Sequence, residues 1–312
     1  MTHFIAVDIG GTQLRAACYV DDQRTPAYID KIATQGPSTT PLERLIGLIA
    51  GIWPGDNCVE AIGVAAAGPT DPFAGILLDA PNIPGWDDFP LRQFLEDRFG
   101  VPVSLGNDAN LAALGEWQYG SGKGYHHMIY ITVSTGIGAG IIVDDRLLLG
   151  ARGLAAELGH TSIVPDGPMC GCGRRGHLES MAAGPAIARW AEEQLNQGIP
   201  SILPAGQPLT AKDVGMAAFK GDQLAIEAIA RSGHFLGKAL ANFVHIFNPT
   251  RVIIGGGVSR CGPLLLDPMR ESLAEHVISH HYIDDLTIAT AALGDEAGLM
   301  GALALAHGHA HK

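Results

Sequence analysis

A short apolar run that ends in a glycine turn and is followed by two more short runs occurs twice in this 312-residue chain. The first copy is FIAVDI (4–9), the turn Gly10-Gly11-Thr12, then LRAACYV (14–20) and AYIDKIA (27–33). The second is 127–133, the turn Ser134-Thr135-Gly136-Ile137-Gly138, then 140–143 and 146–149. Runs this short, bounded by glycine turns, predict strands rather than helices. A strand meander that recurs, each time followed by helices and further buried strands, predicts an α/β protein with two related halves.

The remaining pattern fills in that plan. Pro41 opens a helical stretch, LERLIGLIAGIW, at the position where its missing N–H costs nothing. Buried strands are expected at 61–67, ending in Gly68-Pro69, and at 101–105, ending in Gly106-Asn107-Asp108. Helices are expected at 109–119, 181–197, 210–219, 222–247 and near 262–277. One more buried strand, 251–254, runs into Gly255-Gly256-Gly257. A last strand at 286–290 and a helix over 295–307 close the chain. The expected division is a smaller α/β domain, 1–107 plus 295–312, and a larger one, 108–294, with a ligand cleft between the halves.

Asp8-Ile9-Gly10-Gly11-Thr12 ends a strand. Two glycines allow a sharp turn and bring backbone N–H groups close to phosphate oxygens. Thr12 adds a hydroxyl, and Asp8 suits a Mg²⁺ ion held directly or through water. A tight hairpin with a solvated acid reads equally well from this motif alone. Thr135 and Gly136, at the equivalent place in the second half, shift the balance toward a clamp for a nucleoside triphosphate. Gly256 and Gly257 would pass under its base or ribose. Gly122-Lys123 lacks the residues of a Walker loop, and the triple glycine does not continue as a dinucleotide fingerprint, since position 260 is arginine.

Asn107-Asp108 has two readings. One is a helix N-cap, which alone accounts for an acid there. The other is a general base that accepts a hydroxyl proton as a phosphoryl group leaves ATP.

The segment Glu157–Glu179, ELGHTSIVPDGPMCGCGRRGHLE, places His160, Cys170, Cys172 and His177 between two glutamates. Two thiolates and two imidazoles are the ligand set of a closed, structural Zn²⁺ site. Glu157 and His160, three apart, share a face if the chain turns helically there. Glu157 and Glu179 as carboxylates accept from adjacent hydroxyls, a way to grip a sugar; surface charge or capping is the plain alternative.

Net charge is −12, which argues against a general affinity for nucleic acid or anionic membrane. No run reaches the roughly 18 apolar residues of a membrane helix. The N-terminal stretch lacks the pattern of an export signal, and five cysteines fit a disulfide framework poorly, so a reducing cytoplasm is expected. The histidines at the end of the chain, His307, His309 and His311, read as a frayed tail.

The motifs DIGGTQLR (8–15), Asn107-Asp108, STGIGAGI (134–141), ELGH (157–160), CGCGRRGH (170–177), Glu179 and VIIGGG (252–257) together resemble the ROK family of sugar kinases, in order along essentially the whole chain. The resemblance implies a two-domain actin/hexokinase (ribonuclease H-like) fold, ATP and Mg²⁺, and transfer of the γ-phosphoryl to a sugar hydroxyl, with glucose the expected hexose and a homodimer the expected assembly. It implies Asp108 as base. Asn107, Glu157, His160 and Glu179 would hold the sugar, and Gly68 would approach it. His160, Cys170 and Cys172 would bind zinc. Most members carry cysteine where this chain has His177; imidazole remains a sound ligand, with one negative charge fewer. Sugar-responsive repressors of the family carry a helix-turn-helix ahead of the first motif; with Asp8 eight residues in, none is expected here. N-acetylmannosamine, N-acetylglucosamine or fructose as acceptor, a non-catalytic sugar sensor and an actin-like ATPase are the alternatives weighed.

Overall fold

The computed structural model describes the chain except residues 56, 57, 81, 82, 84, 311 and 312 and, at 309 and 310, the side chains. The stretch APNIPGW (80–86), which adds to the resemblance to sugar kinases, falls partly outside the described residues, at Pro81, Asn82 and Pro84, and so does His311.

The first meander is β1 (His3–Ile9), β2 (Gln13–Val20) and β3 (Tyr28–Ala33), followed by α1 (Pro41–Gly51). Then come β4 (Val59–Ala66), a small hairpin of β5 (Thr70–Asp71) and β6 (Ile76–Leu77), α2 (Leu91–Phe99), β7 (Val103–Asn107) and α3 (Asp108–Tyr119). The second meander is β8 (Met128–Val133), β9 (Ile137–Val143) and β10 (Arg146–Leu147). It leads into α4 (Leu178–Ala182), α5 (Gly184–Asn196), α6 (Ala211–Phe219), α7 (Gln223–Phe247) and β11 (Arg251–Gly255). The chain ends through α8 (Pro263–His276), β12 (Thr287–Thr290) and α9 (Ala297–Ala310). The two five-stranded sheets share one strand order, β3-β2-β1-β4-β7 and β10-β9-β8-β11-β12. The duplication expected from the glycine turns is therefore real: in each copy an antiparallel meander is extended by parallel strands.

Packing divides the chain into two units. The first comprises Met1–Gly124, Gly140–Ala156 and Ala292–Lys312; the second comprises Tyr125–Ala139 and Glu157–Ala291. These limits differ from the boundaries at 107/108 and 294/295 expected from the sequence. The reason is α3, which packs on α9. Leu111 of α3 joins Leu299 and Leu303 of α9 in one buried cluster.

In the first unit, strand alternation explains the layers. Ile5, Val7 and Ile9 of β1 point to the face covered by Leu45 and Ile49 of α1 and by Leu91 and Leu95 of α2. Phe4 and Ala6, of opposite parity, point to the face covered by α3 and α9. In the second unit, β8 and β11 are parallel neighbours, with Arg251 opposite Met128, and β12 continues from β11. There α7 packs along α8 and also receives α4, α5 and α6.

Helix starts follow local chemistry. Thr40 and Glu43 close a capping box ahead of Pro41 in α1, and Thr210 with Asp213 does the same for α6. Two expectations are corrected and one helix is added. The single helix expected over 181–197 breaks at Ala183, because Pro185 starts a new helix and has no N–H to continue the old one. The amphipathic α2, closed by Gly100 at φ 70°, went unread. The tail expected to fray is helical through residue 310, and His307 sits edge-on to Phe4, with ring centroids 4.3 Å apart.

Candidate functional site

Asp8 is the penultimate residue of β1 and lies directly opposite Arg15 on β2. Arg15 donates through Nε (3.0 Å) and Nη2 (2.6 Å) to Oδ2 of Asp8. The same guanidinium donates to the carbonyl of Asp295 (2.6 Å) and reaches Glu296 Oε1 at 3.4 Å. Asp8 is thus a held carboxylate rather than a solvated one. The turn beside it is closed by the Gly10 N–H donating to the Gln13 carbonyl (2.9 Å), which leaves Gly10, Gly11 and Thr12 at the tip. Thr34 pins that tip from the side, its hydroxyl donating to the Gly10 carbonyl at 2.6 Å. Arg15 escaped the sequence reading, although its signal was present: in a tight hairpin turning at 10–13, residue 8 must face residue 15.

At the end of β7 the capping role falls to Asn107, not Asp108. The Asn107 Oδ1 accepts from the N–H groups of Ala109 (3.0 Å) and Asn110 (3.2 Å). Its Nδ2 donates to the carbonyl of Gly68 at 3.1 Å, which locks the end of β7 to the end of β4. Gly68 adopts φ 103°, a conformation that side-chain-bearing residues rarely take. Asp108 opens α3, half-buried, with Oδ1 accepting from the Ala109 N–H at 2.8 Å. An acid that follows the cap is not needed to cap.

In the second unit, the segment after Glu157 is a short 3-10 turn, Leu158–His160, with the His160 N–H donating to the Glu157 carbonyl at 3.1 Å. Glu157 is exposed, and the residue before it, Ala156, has φ 70°, a strained value for alanine. The ligand atoms of His160, Cys170, Cys172 and His177 all lie within 4.8 Å of one another. Cys170 Sγ is 3.7 Å from His160 Nδ1, and Cys172 Sγ is 3.3 Å from His177 Nδ1. These separations match the edges of a tetrahedron with Zn–S and Zn–N bonds of roughly 2.3 and 2.1 Å. Burial pushes the Cys170 thiol up to about 11; the Cys172 backbone opposes the rise, and the Cys172 side chain and Glu179 add to it. A divalent cation is the counter-charge that such a thiol requires to act as a thiolate. The donor set therefore fits zinc, and His177, the departure from the family pattern, points into the cluster.

The loop that carries these residues depends on Gly176. It sits at φ 71°, and an added Cβ would run into the carbonyl of Val164. Its N–H donates to the Pro168 carbonyl (2.9 Å), and its carbonyl receives the N–H of Ile163 (2.8 Å).

Glu179 faces two ways. Its Oε1 accepts from Cys170 Sγ (3.3 Å) and its Oε2 from the Ile137 N–H (2.9 Å). The second glycine turn is therefore in contact with the loop that the sequence reading treated separately. Gly136 leaves room for this, since a Cβ there would lie 2.6 Å from Oε2.

A cavity of about 620 Å³ opens beside that turn, within the second unit. Thr135 and Gly257 line it together with apolar Leu209, Met216, Phe219 and Val258; Lys212 and Arg260 supply cations. Its size falls in the range of small-molecule sites, about 300–1,000 Å³. Gly256, at φ 81°, sits between the end of β11 and Gly257. Of the four residues expected near a nucleotide in this half, Thr135 and Gly257 line the cavity, while α6 and Arg260 were not expected, because an apolar helix face carries no mark of whether it faces core or ligand. Among the described residues no helix is long and apolar enough to cross a membrane.

The chain matches the ROK family over residues 4–309, and it belongs to that family. It is 37% identical over 309 residues to a glucokinase of Streptomyces coelicolor, covering 97% of this chain and 96% of the relative. A glucokinase of Thermotoga maritima is 35% identical over 307 residues, covering 96% of each chain. Among solved structures, a ROK family glucokinase from Streptomyces griseus in complex with glucose and AMPPNP superposes with a TM-score of 0.79 at 37% identity, covering 98% of this chain and 99% of the other. The fold is thus the actin/hexokinase-like fold of the sugar kinases.

Proposed function

We propose that this protein is an ATP-dependent glucokinase, transferring the γ-phosphoryl group of ATP to glucose to give glucose 6-phosphate. The observation that carries the reading is the full-length likeness to a glucokinase solved with glucose and AMPPNP, on a chain that retains Asp108, Glu157, His160 and Glu179. Phosphoryl transfer needs positioning and charge neutralisation more than covalent chemistry. Asp108 accepts the proton of the attacking hydroxyl as that oxygen bonds to the γ-phosphorus and the bond from phosphorus to the β,γ-bridging oxygen breaks, releasing ADP. Asn107, Gly68, Glu157, His160 and Glu179 bind the sugar. Asp8, whose Oδ2 carries both Arg15 bonds, would hold Mg²⁺ directly or through water, and the ion would neutralise phosphate charge. The turns Gly10-Gly11-Thr12 and Thr135-Gly136 bind phosphates, and Gly256 and Gly257 adjoin the nucleoside in the cavity of the second unit. That cavity is largely apolar, which suits a base; a polyphosphate chain would need a run of cations, and the lining offers Lys212 and Arg260.

Zn²⁺, held by His160, Cys170, Cys172 and His177, would supply a closed structural centre, with no open position for chemistry. The family resemblance also supports a homodimer that acts in the cytoplasm at the entry of glucose into glycolysis. The test is sugar-dependent ADP formation across glucose, fructose, N-acetylmannosamine and N-acetylglucosamine, with ATP and polyphosphate as donors. Glucose with ATP should give the highest kcat/KM. ATP hydrolysis indifferent to sugar would overturn the reading.

A further inference from the structure

We propose that Glu179 is a positioning residue that couples the His160–Cys170–Cys172–His177 cluster to nucleotide affinity. The proposal rests on the kinase reading above and on contacts confined to the second unit. His177 is both a member of the cluster and the residue from which α4 starts. Its carbonyl and that of Pro168 accept from the Ser180 hydroxyl, at 2.8 and 3.1 Å, so the start of α4 is stitched to the metal loop.

From there, two contacts reach the turn beside the cavity. The Oε2 of Glu179 receives the Ile137 N–H at 2.9 Å, and the Gly184 N–H, at the start of α5, donates to the Ser134 carbonyl at 2.8 Å. Ser134, Thr135 and Gly184 all line the cavity. The other oxygen of Glu179 rests against Cys170 itself. A filled cluster fixes His177 and Cys170, which fixes the first turn of α4, which holds Ile137 and Ser134 and so sets the Thr135-Gly136 turn between them, where donor phosphates would bind. An emptied cluster lets α4 shift, and the phosphate turn loses its preorganisation. This is a coupling free energy between two places that share one short, rigid element.

The experiment measures the affinity of Mg²⁺–AMPPNP by calorimetry, without sugar. It compares zinc-loaded protein, chelator-treated protein, zinc-loaded Glu179→Ala and zinc-loaded Glu179→Gln. Zinc content and circular dichroism are recorded on each sample. Chelation should weaken nucleotide binding about 5-fold or more. Glu179→Ala should retain about one zinc per chain yet bind as weakly as the chelated protein, with little further loss on chelation. Glu179→Gln should recover most of the affinity, because its amide oxygen still accepts from Ile137. Equal affinity with and without zinc in folded protein, or wild-type affinity in Glu179→Ala, overturns the proposal. If chelation unfolds the chain, the two Glu179 variants decide. Failure of zinc-loaded wild type to bind Mg²⁺–AMPPNP would overturn the nucleotide reading itself, an outcome distinct from equal binding by all forms.

Discussion

Asp8, Asp108 and Asp222 are three aspartates whose neighbours assign them different work. Asp8 is gripped by Arg15, so its orientation is set before any ligand arrives. Asp108 is relieved of capping by Asn107. Replacing Asp108 by asparagine keeps the shape and removes the base. Glucose binding should persist within a few-fold while kcat falls about 10²- to 10⁴-fold, read by steady-state kinetics beside calorimetry. Near-normal turnover would remove the base assignment. Asp222 is buried at the start of α7 and takes the Ile202 N–H, the Ala225 N–H and the Ser201 hydroxyl. Burial alone would raise its pKa, but those three donors outweigh it and the net shift is downward. A depressed folded-state pKa means that the stabilisation is complete above the unfolded value of about 3.9 and is lost as pH falls through the folded one. Asp222→Asn should cost about 1–2 kcal/mol at neutral pH. In urea titrations that gap should close below about pH 4, and a gap independent of pH would contradict the assignment.

The metal loop behaves as one element, although little of it is regular. Its turns are set by Gly173 and Gly176, both at positive φ, and by backbone bonds such as the Cys170 N–H to the Arg174 carbonyl (2.7 Å). Gly176→Ala forces a Cβ into the Val164 carbonyl. On the zinc reading, which expects about one ion per native chain, the variant's zinc content should fall well below that and its stability drop by about 1–3 kcal/mol, measured by metal analysis and thermal unfolding. Full zinc occupancy in that variant would show that the loop can relax around the added methyl. The spacing of His160, Cys170, Cys172 and His177 already named this cluster, because metal ligands advertise themselves by residue type. The break between α4 and α5 was written at Pro185 but overridden by the apolar periodicity on either side. The start of α9 shows the opposite case: its capping turn, Gly294–Glu296, matters through Arg15, and nothing local to Asp295 says so.

Long-range ties hold the first unit together in ways that no local pattern carries. Glu116 is fully buried and accepts from the N–H groups of Ser121 (2.8 Å), Ala292 (3.2 Å) and Leu293 (2.7 Å). The last two lie 176 and 177 residues away in sequence. This one carboxylate fastens the end of α3 to the segment entering α9. Glu116→Ala removes the acceptor of three part-buried N–H groups and should destabilise the protein by about 1–3 kcal/mol. Denaturant unfolding checks this, and a loss below about 1 kcal/mol would mean that water takes over the acceptor role.

The duplicated meander, the order of strands and helices, the glycine turns and the metal-ligand set follow from the sequence alone. Strand periodicity, turn chemistry and ligand type are all expressed within a few residues of where they act. The tertiary structure decided the rest: that Arg15 orients Asp8, that Asn107 and not Asp108 caps α3, that Glu179 spans Cys170 of the His/Cys cluster and Ile137 of the second glycine turn, and that α3 belongs with α9. Each of these is a hydrogen bond or packing contact between residues brought together by the fold. Side chains of ordinary type, such as an arginine in a strand or a glutamate in a helix, acquire their roles from partners far away in sequence.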